Sequence, residues 1–246
     1  MIFFVQKEDQ MAGKEIIKHP VKVEPNISLY DRSIKDTWRV FVIMSELVES
    51  IDTLSDYQSL VPIFGSARTK PSHPSYKSAE KLASILVKNG YGVMSGGGPG
   101  IMEAANKGAA KAGGVSVGLN IELPHEQNSN PYQNVKLDFR YFFLRKVCFM
   151  KYAVALVAYP GGFGTMDEFM EVLTLIQTGK TNRIPLVLVG KNFWGPVVKW
   201  FENTLLAEGM ISPEDLELFK VVDTPEDAYK YIEKFHNAVG IRGTEK

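Results

Sequence analysis

Apolar positions along this chain change period at about residue 57. Between residues 36 and 57, Val40, Ile43, Met44, Leu47, Val48, Ile51 and Leu54 recur three or four apart, the spacing of one face of an amphipathic helix. The preceding residues, to about 28, carry Pro20 and Pro25 and little periodicity, and read as a loose arm. Beyond residue 57, short apolar runs alternate with amphipathic stretches. The runs at 60–64, 91–94, 115–119, 153–158, 185–189 and 218–222 read as buried strands, with a further short strand expected at 136–141. Helices are expected at 75–89, 101–112, 142–152, 166–178, 196–207 and 225–239, with Gly90 and the Gly113-Gly114 pair as natural stops. This alternation predicts an α/β fold: a doubly wound, Rossmann-like parallel sheet with helices on both faces, preceded by an N-terminal helical extension. The expected division is an arm and helix over 1–57, the α/β domain over 58–240 and a tail over 241–246.

In such a sheet the first strand lies between the second strand and the one beginning near Ala153, and ligands bind beyond the carboxyl ends of the strands where the order reverses. Three glycine loops are expected to meet there: Gly65-Ser66, Gly96-Gly97-Gly98-Pro99-Gly100, and the segment from Gly161 to Thr165. The third carries the most information, because it joins a strand to a helix: Tyr159-Pro160-Gly161-Gly162-Phe163-Gly164-Thr165-Met166-Asp167-Glu168. Its amides and the positive end of the helix dipole suit an anion. Thr165 adds a hydroxyl donor. Glu168 sits one turn into the expected helix, where it can reach a sugar hydroxyl while the loop holds a phosphate. Phosphate plus sugar suggests a nucleotide. Spacing alone equally allows Glu168 to compensate the helix dipole, as it allows Glu103 after the second loop. That second loop departs from a dinucleotide fingerprint, with Ile101 in the third glycine position and the loop following the second strand, so NAD is disfavoured. No Gly-Lys-Ser/Thr follows any glycine run, which disfavours ATP hydrolysis of the P-loop kind.

Arg145 and Lys146 are either a solvated basic pair or a guanidinium aimed into the cleft, where arginine suits bidentate recognition of carboxylate or phosphate. Glu126, in the polar connection after the third strand, can reach a base or sugar. His125 beside it reads as an ordinary surface histidine. No second histidine stands at ligand spacing, and no metal is expected. The 246 residues suffice for one large domain, and 28 basic against 28 acidic residues give no reason to expect nucleic acid or an anionic membrane as partner. Cys148 is the only cysteine, so no intrachain disulfide forms. The apolar start, residues 1–5, is too short for a secretory signal, and no apolar run reaches membrane-spanning length; a soluble cytoplasmic protein is expected.

Three segments together resemble a known family. They are Ser95-Gly96-Gly97-Gly98-Pro99-Gly100-Ile101-Met102-Glu103-Ala104-Ala105, Leu144-Arg145-Lys146, and Pro160 to Glu168, which matches PGGxGTxxE. They look like the LOG (LONELY GUY) family of nucleoside 5′-monophosphate phosphoribohydrolases, which release cytokinin bases and carry the older label "lysine decarboxylase-like". The resemblance covers about residues 58–235 and is nearer the longer bacterial members. It implies Arg145 and Glu168 as catalytic residues and a phosphate loop of Gly161, Gly162, Gly164 and Thr165. It also implies Lys146 and Glu126 as substrate contacts. Gly65, Ser66, Gly97 and Gly98 are the further substrate-binding candidates from the converging loops. Neither a metal nor an organic cofactor is implied, and a homo-oligomer is. A non-catalytic nucleotide-binding module on the same fold is the alternative.

Overall fold

The computed structural model of the chain describes residues 29–122 and 129–240, with side chains from residue 37 onward. Among these residues, strands β1 Leu60–Phe64, β2 Gly92–Ser95, β3 Ser116–Ile121, β4 Val135–Phe139, β5 Leu156–Ala158, β6 Leu186–Val189 and β7 Phe219–Val222 form one sheet. Its order is β4-β3-β2-β1-β5-β6-β7, and every pairing is parallel. β1 lies between β2 and β5, as the sequence predicts. The chain winds outward from β1 in one direction through β4, then returns to β5 and winds outward in the other.

Alternation within the strands feeds two apolar layers. In β1, Leu60 and Phe64 enter one and Val61 and Ile63 the other; in β6, Leu186 and Leu188 are opposed to Val187 and Val189. Burial on both faces explains why these strands read as continuous apolar runs and not as alternating ones. The first layer packs against α4 Phe142–Tyr152, α5 Phe163–Gln177, α6 Lys191–Trp200 and Ile43, Leu47 and Leu54 of α1 Leu29–Ser55. The second packs against α2 Pro74–Lys88, α3 Ile101–Lys111 and α7 Pro225–Val239.

By contacts the chain divides inside α1, one unit ending at Phe41 and the other beginning at Val42. In the first unit Trp38, Val40 and Phe41 are each more than half exposed. All that follows concerns the second unit.

Several boundaries differ from the sequence expectation. α1 starts seven residues early, in a stretch free of glycine and proline that has no clear apolar period. α6 starts at Lys191 because Gly190, at φ 107°, makes the turn; Pro196 lies inside the helix, which continues as a π turn over Phe201–Leu206. A 3₁₀ turn, Pro213–Glu217, was not expected; Ser212 and Asp215 cap it reciprocally. β5 is shortened, with Ala153 making only an isolated bridge to Leu60. α5 starts at Phe163, which draws Gly164 and Thr165 into its first turn.

Candidate active site

The three glycine loops meet at the carboxyl edge of the sheet and are joined in series. The Ile101 N–H donates to the Ser66 carbonyl at 3.1 Å, and the Ser66 N–H donates to the Pro160 carbonyl at 3.0 Å. Gly100 permits the first join, since its φ is 71° and a Cβ there would lie 2.3 Å from the Ser66 carbonyl oxygen. The loops frame a cleft of about 790 Å³, and its lining brings together Gly65, Ser66, Arg145, Gly161, Gly162, Gly164, Thr165 and Glu168.

At the mouth, Gly162 precedes α5 and no side chain caps that helix. The Thr165 and Met166 N–H groups turn back to the Gly162 carbonyl, both at 3.1 Å. The earlier amides of the first turn remain as donors at the positive end of the dipole. A Cβ on Gly161 would lie 2.1 Å from Thr165 Oγ1, so the loop folds tightly over that hydroxyl.

Glu168 projects from α5 into the floor and is only 5% exposed. Burial pushes its carboxyl up to about 7, outweighing the Arg145 and Lys146 charges that pull the other way. Dipole compensation does not account for this residue. With α5 beginning at Phe163, Glu168 falls beyond the first turn, where the dipole effect fades. Arg145 lies across from it, with Nη2 3.9 Å from Glu168 Oε1. The guanidinium is packed over the rings of Phe142 at 5.0 Å and Phe149 at 5.8 Å. Burial draws its pKa below the usual arginine range, against the charges of Glu168 and Asp167. Its Nε is buried with no hydrogen-bond partner among the described residues, a donor left over for a ligand.

Other sequence-named residues lie elsewhere. Lys146 is outside the cleft lining; its Nζ is 2.8 Å from Asp167 and 3.0 Å from Glu171. Burial pulls its pKa down, but the hydrogen bonds it donates to those carboxylates leave it above the ordinary lysine value. Gly97 and Gly98 also stand outside the lining, where Gly96 takes their place. A Cβ on Gly97 would lie 1.9 Å from Asn120 Oδ1. The Gly97 carbonyl accepts from the Asn130 backbone N–H at 2.8 Å, Asn130 Nδ2 at 3.0 Å and Gln133 Nε2 at 2.8 Å. Asn130 Nδ2 also reaches the Gly98 carbonyl and Asn106 Oδ1. Asn106 in turn accepts from Ser95 Oγ and donates to Ser116 Oγ. This buried polar network escaped sequence reading; its one signal is Asn106 among the small apolar residues of α3. Glu126 lies outside the described residues. Arg68, Thr69, His73, Met102, Phe142, Phe149 and Phe193 also line the cleft and were not named from sequence.

Residues 102–232 match a family model described as "possible lysine decarboxylase". A cytokinin riboside 5′-monophosphate phosphoribohydrolase of Arabidopsis thaliana is 26% identical over 185 residues, 74% of this chain and 84% of that protein. One of Oryza sativa subsp. japonica is 25% identical over 185 residues, 74% of this chain and 75% of that protein. The molybdenum cofactor carrier protein of Chlamydomonas reinhardtii has a TM-score of 0.54 at 22% identity, over 73% of this chain and 99% of that one, a likeness of fold alone. Among the described residues no helix is long and apolar enough to cross a membrane. The family description names a decarboxylase, and pyridoxal phosphate chemistry of that kind needs a Schiff-base lysine. Among the described residues no lysine lines this cleft, and Lys146 is committed to two carboxylates, so the residues present do not fit that cofactor. Since the model spans more than half of the chain and contains Arg145, Glu168 and the whole 161–165 loop, the chain belongs to the LOG family, the one that carries the "possible lysine decarboxylase" description.

Proposed function

We propose that this chain hydrolyses the N-glycosidic bond of a nucleoside 5′-monophosphate, AMP or an N6-modified AMP, to a free base and ribose 5-phosphate. One observation carries the reading. α5 presents an uncapped amino end to the cleft and, five residues further in, a buried carboxyl. At 1.5 Å per residue these lie about 7.5 Å apart along the helix axis, a separation that lets one helix hold a 5′-phosphate and address the ribose. The names of the Arabidopsis and rice relatives point to the same substrate class.

Cleavage of the bond sends its electron pair to the base and builds positive charge on the ribose. The Glu168 carboxylate stabilises that charge and orients the water that adds its hydroxyl to C1′, while a proton passes to the base nitrogen. Arg145, held on the Phe142 and Phe149 rings, positions the substrate opposite. The phosphate supplies binding energy remote from the broken bond. Neither a metal nor an organic cofactor takes part in this scheme. The reading includes a homo-oligomer, supported by exposed Met44 and Val48 on α1 and Phe143 and Val147 on α4.

The test incubates the purified protein with a panel of nucleoside monophosphates and looks for free base by chromatography. Binding without release of any base would leave a nucleotide-binding module and end the catalytic reading.

A further inference from the structure

Lys146 has no part in the proposed reaction, yet it is built into the surroundings of Glu168. Arg145 and Lys146 are consecutive on α4, and α5 sets three carboxyls against them, those of Asp167, Glu168 and Glu171. Arg145 Nη2 is 3.9 Å from Glu168 Oε1, while Lys146 Nζ is 2.8 Å from Asp167 Oδ1 and 3.0 Å from Glu171 Oε2. Asp167 directly precedes Glu168, and Glu171 follows three residues later, the spacing of neighbours along one side of a helix. Glu168 is thus flanked by two acids on its own helix, and one ammonium pairs with both.

The Lys146 side chain is only 18% exposed and Glu171 Oε2 is buried, so solvent screens this cluster less than it screens a surface pair. The balance of charges around Glu168 is correspondingly close. Burial is the largest influence on its carboxyl and raises it; Arg145 and then Lys146 draw it down, while Glu171 and Asp167 push it up. The cleft's other charged or titratable side chains, Arg68 and His73, come from the loop after β1 and take no part in the pairing between α4 and α5.

We propose that Lys146 is a positioning residue for the reaction: it acts on Glu168 through Asp167 and Glu171, pairing with both acids so that they do not oppose the Glu168 carboxylate, and it does not touch the substrate. The inference rests on the role given to Glu168 in the proposed function. Loss of the ammonium leaves two uncompensated carboxylates beside Glu168, so its proton is released only at higher pH. Loss of both acids with the ammonium kept acts in the opposite sense. A lysine that held the substrate would produce neither shift; its loss would raise KM at every pH.

The experiment follows base release from AMP as a function of pH for the wild type, Lys146→Met, Lys146→Arg and the double variant Asp167→Asn/Glu171→Gln. In parallel the Glu168 carboxyl is titrated without substrate by carbon-13 NMR of glutamate-labelled protein, with Glu168→Gln identifying its signal. Lys146→Met is expected to move both the acidic limb of kcat/KM and the NMR midpoint upward by about one pH unit. That is a roughly tenfold lower rate on the acidic side, recovering toward the wild type on the alkaline side. Lys146→Arg is expected to keep the wild-type limb, and the double variant to move it to lower pH. Should Lys146→Met fail to fold, the double variant decides the question. Unmoved midpoints in Lys146→Met and in the double variant overturn the proposal, as does a KM raised at every pH with an unmoved limb. NMR midpoints that shift without base release from any of the proteins would keep the action of Lys146 on Glu168 and remove the catalytic reading. Base release with unmoved midpoints would do the reverse.

Discussion

Arg145 Nη2 stands 3.9 Å from Glu168 Oε1, near enough for attraction and too far for a hydrogen bond. The carboxyl lacks the charge-assisted bond that would hold it ionised, and burial carries it up to about 7. A carboxylate that stabilises a ribosyl cation must be ionised. Turnover of AMP should therefore rise with pH through about 7 and level off above it. A rate profile flat from pH 6 to 8.5 in the wild type, with the fold intact, would separate Glu168 from the chemistry.

Glu168→Gln should lower turnover on the order of a hundredfold or more, since it removes one preorganised charge facing the developing cation. The same change should stabilise the protein at high pH. A carboxyl raised in the folded state contributes stability that is complete below its ordinary value of 4.5 and is lost as pH rises through about 7. The neutral amide escapes that loss. Melting curves at pH 5 and pH 8 should show Glu168→Gln gaining on the wild type by a few degrees between the two, at roughly 2–4 °C per kcal/mol for a chain of this size.

Arg145→Lys keeps the charge and loses the plane. The guanidinium lies over two aromatic rings and presents a buried Nε–H that an ammonium cannot reproduce. kcat/KM for AMP should fall roughly tenfold or more. Wild-type kinetics in this variant would make Arg145 a packing residue.

A nucleoside without its 5′-phosphate loses the contacts at the start of α5. Charge-assisted hydrogen bonds contribute about 1.5–3 kcal/mol each, so loss of two should lower kcat/KM for adenosine below that for AMP by roughly two to four orders of magnitude. Equal cleavage of both would show that the loop does not read phosphate.

The two glycine loops should respond differently to a methyl group. At Gly97, with φ 73°, alanine costs about 1–2 kcal/mol in backbone strain alone, and its Cβ would meet Asn120 Oδ1. At Gly162, with φ −94°, a Cβ meets nothing within 4 Å. Thermal unfolding should show Gly97→Ala melting several degrees lower and Gly162→Ala melting like the wild type. Steady-state kinetics should show a raised KM for AMP in the latter, from the methyl group at the cradle.

The strand order and the meeting of three loops were legible because β1, β2 and β5 are short apolar runs with glycine at or soon after their ends, at Gly65, Gly96 and Gly161, and a parallel sheet admits few orders. Arg145 and Glu168 were singled out only with the help of the family motifs; spacing left Glu168 open, and the structure places both in the cleft, with Glu168 buried beyond the first turn of α5. Lys146 lies outside the cleft lining although Arg145 is in it, because one residue along α4 turns a side chain about 100°, here toward Asp167 and Glu171. Gly97 lies outside the lining for a different reason: its carbonyl is held by Asn130 and Gln133, more than thirty residues away in sequence. Contacts that distant leave no local pattern.

The bonds from Ile101 to Ser66 and from Ser66 to Pro160 make the edge of the sheet epistatic. A residue tolerated in one loop has to be tolerated through the backbone of the next, so the energetic effects of changes at Gly100, Ser66 and Gly161 do not sum. A new ligand preference built at this edge would have to be designed in all three loops at once. Helix faces remote from the edge, with no share in that backbone relay, can be altered singly.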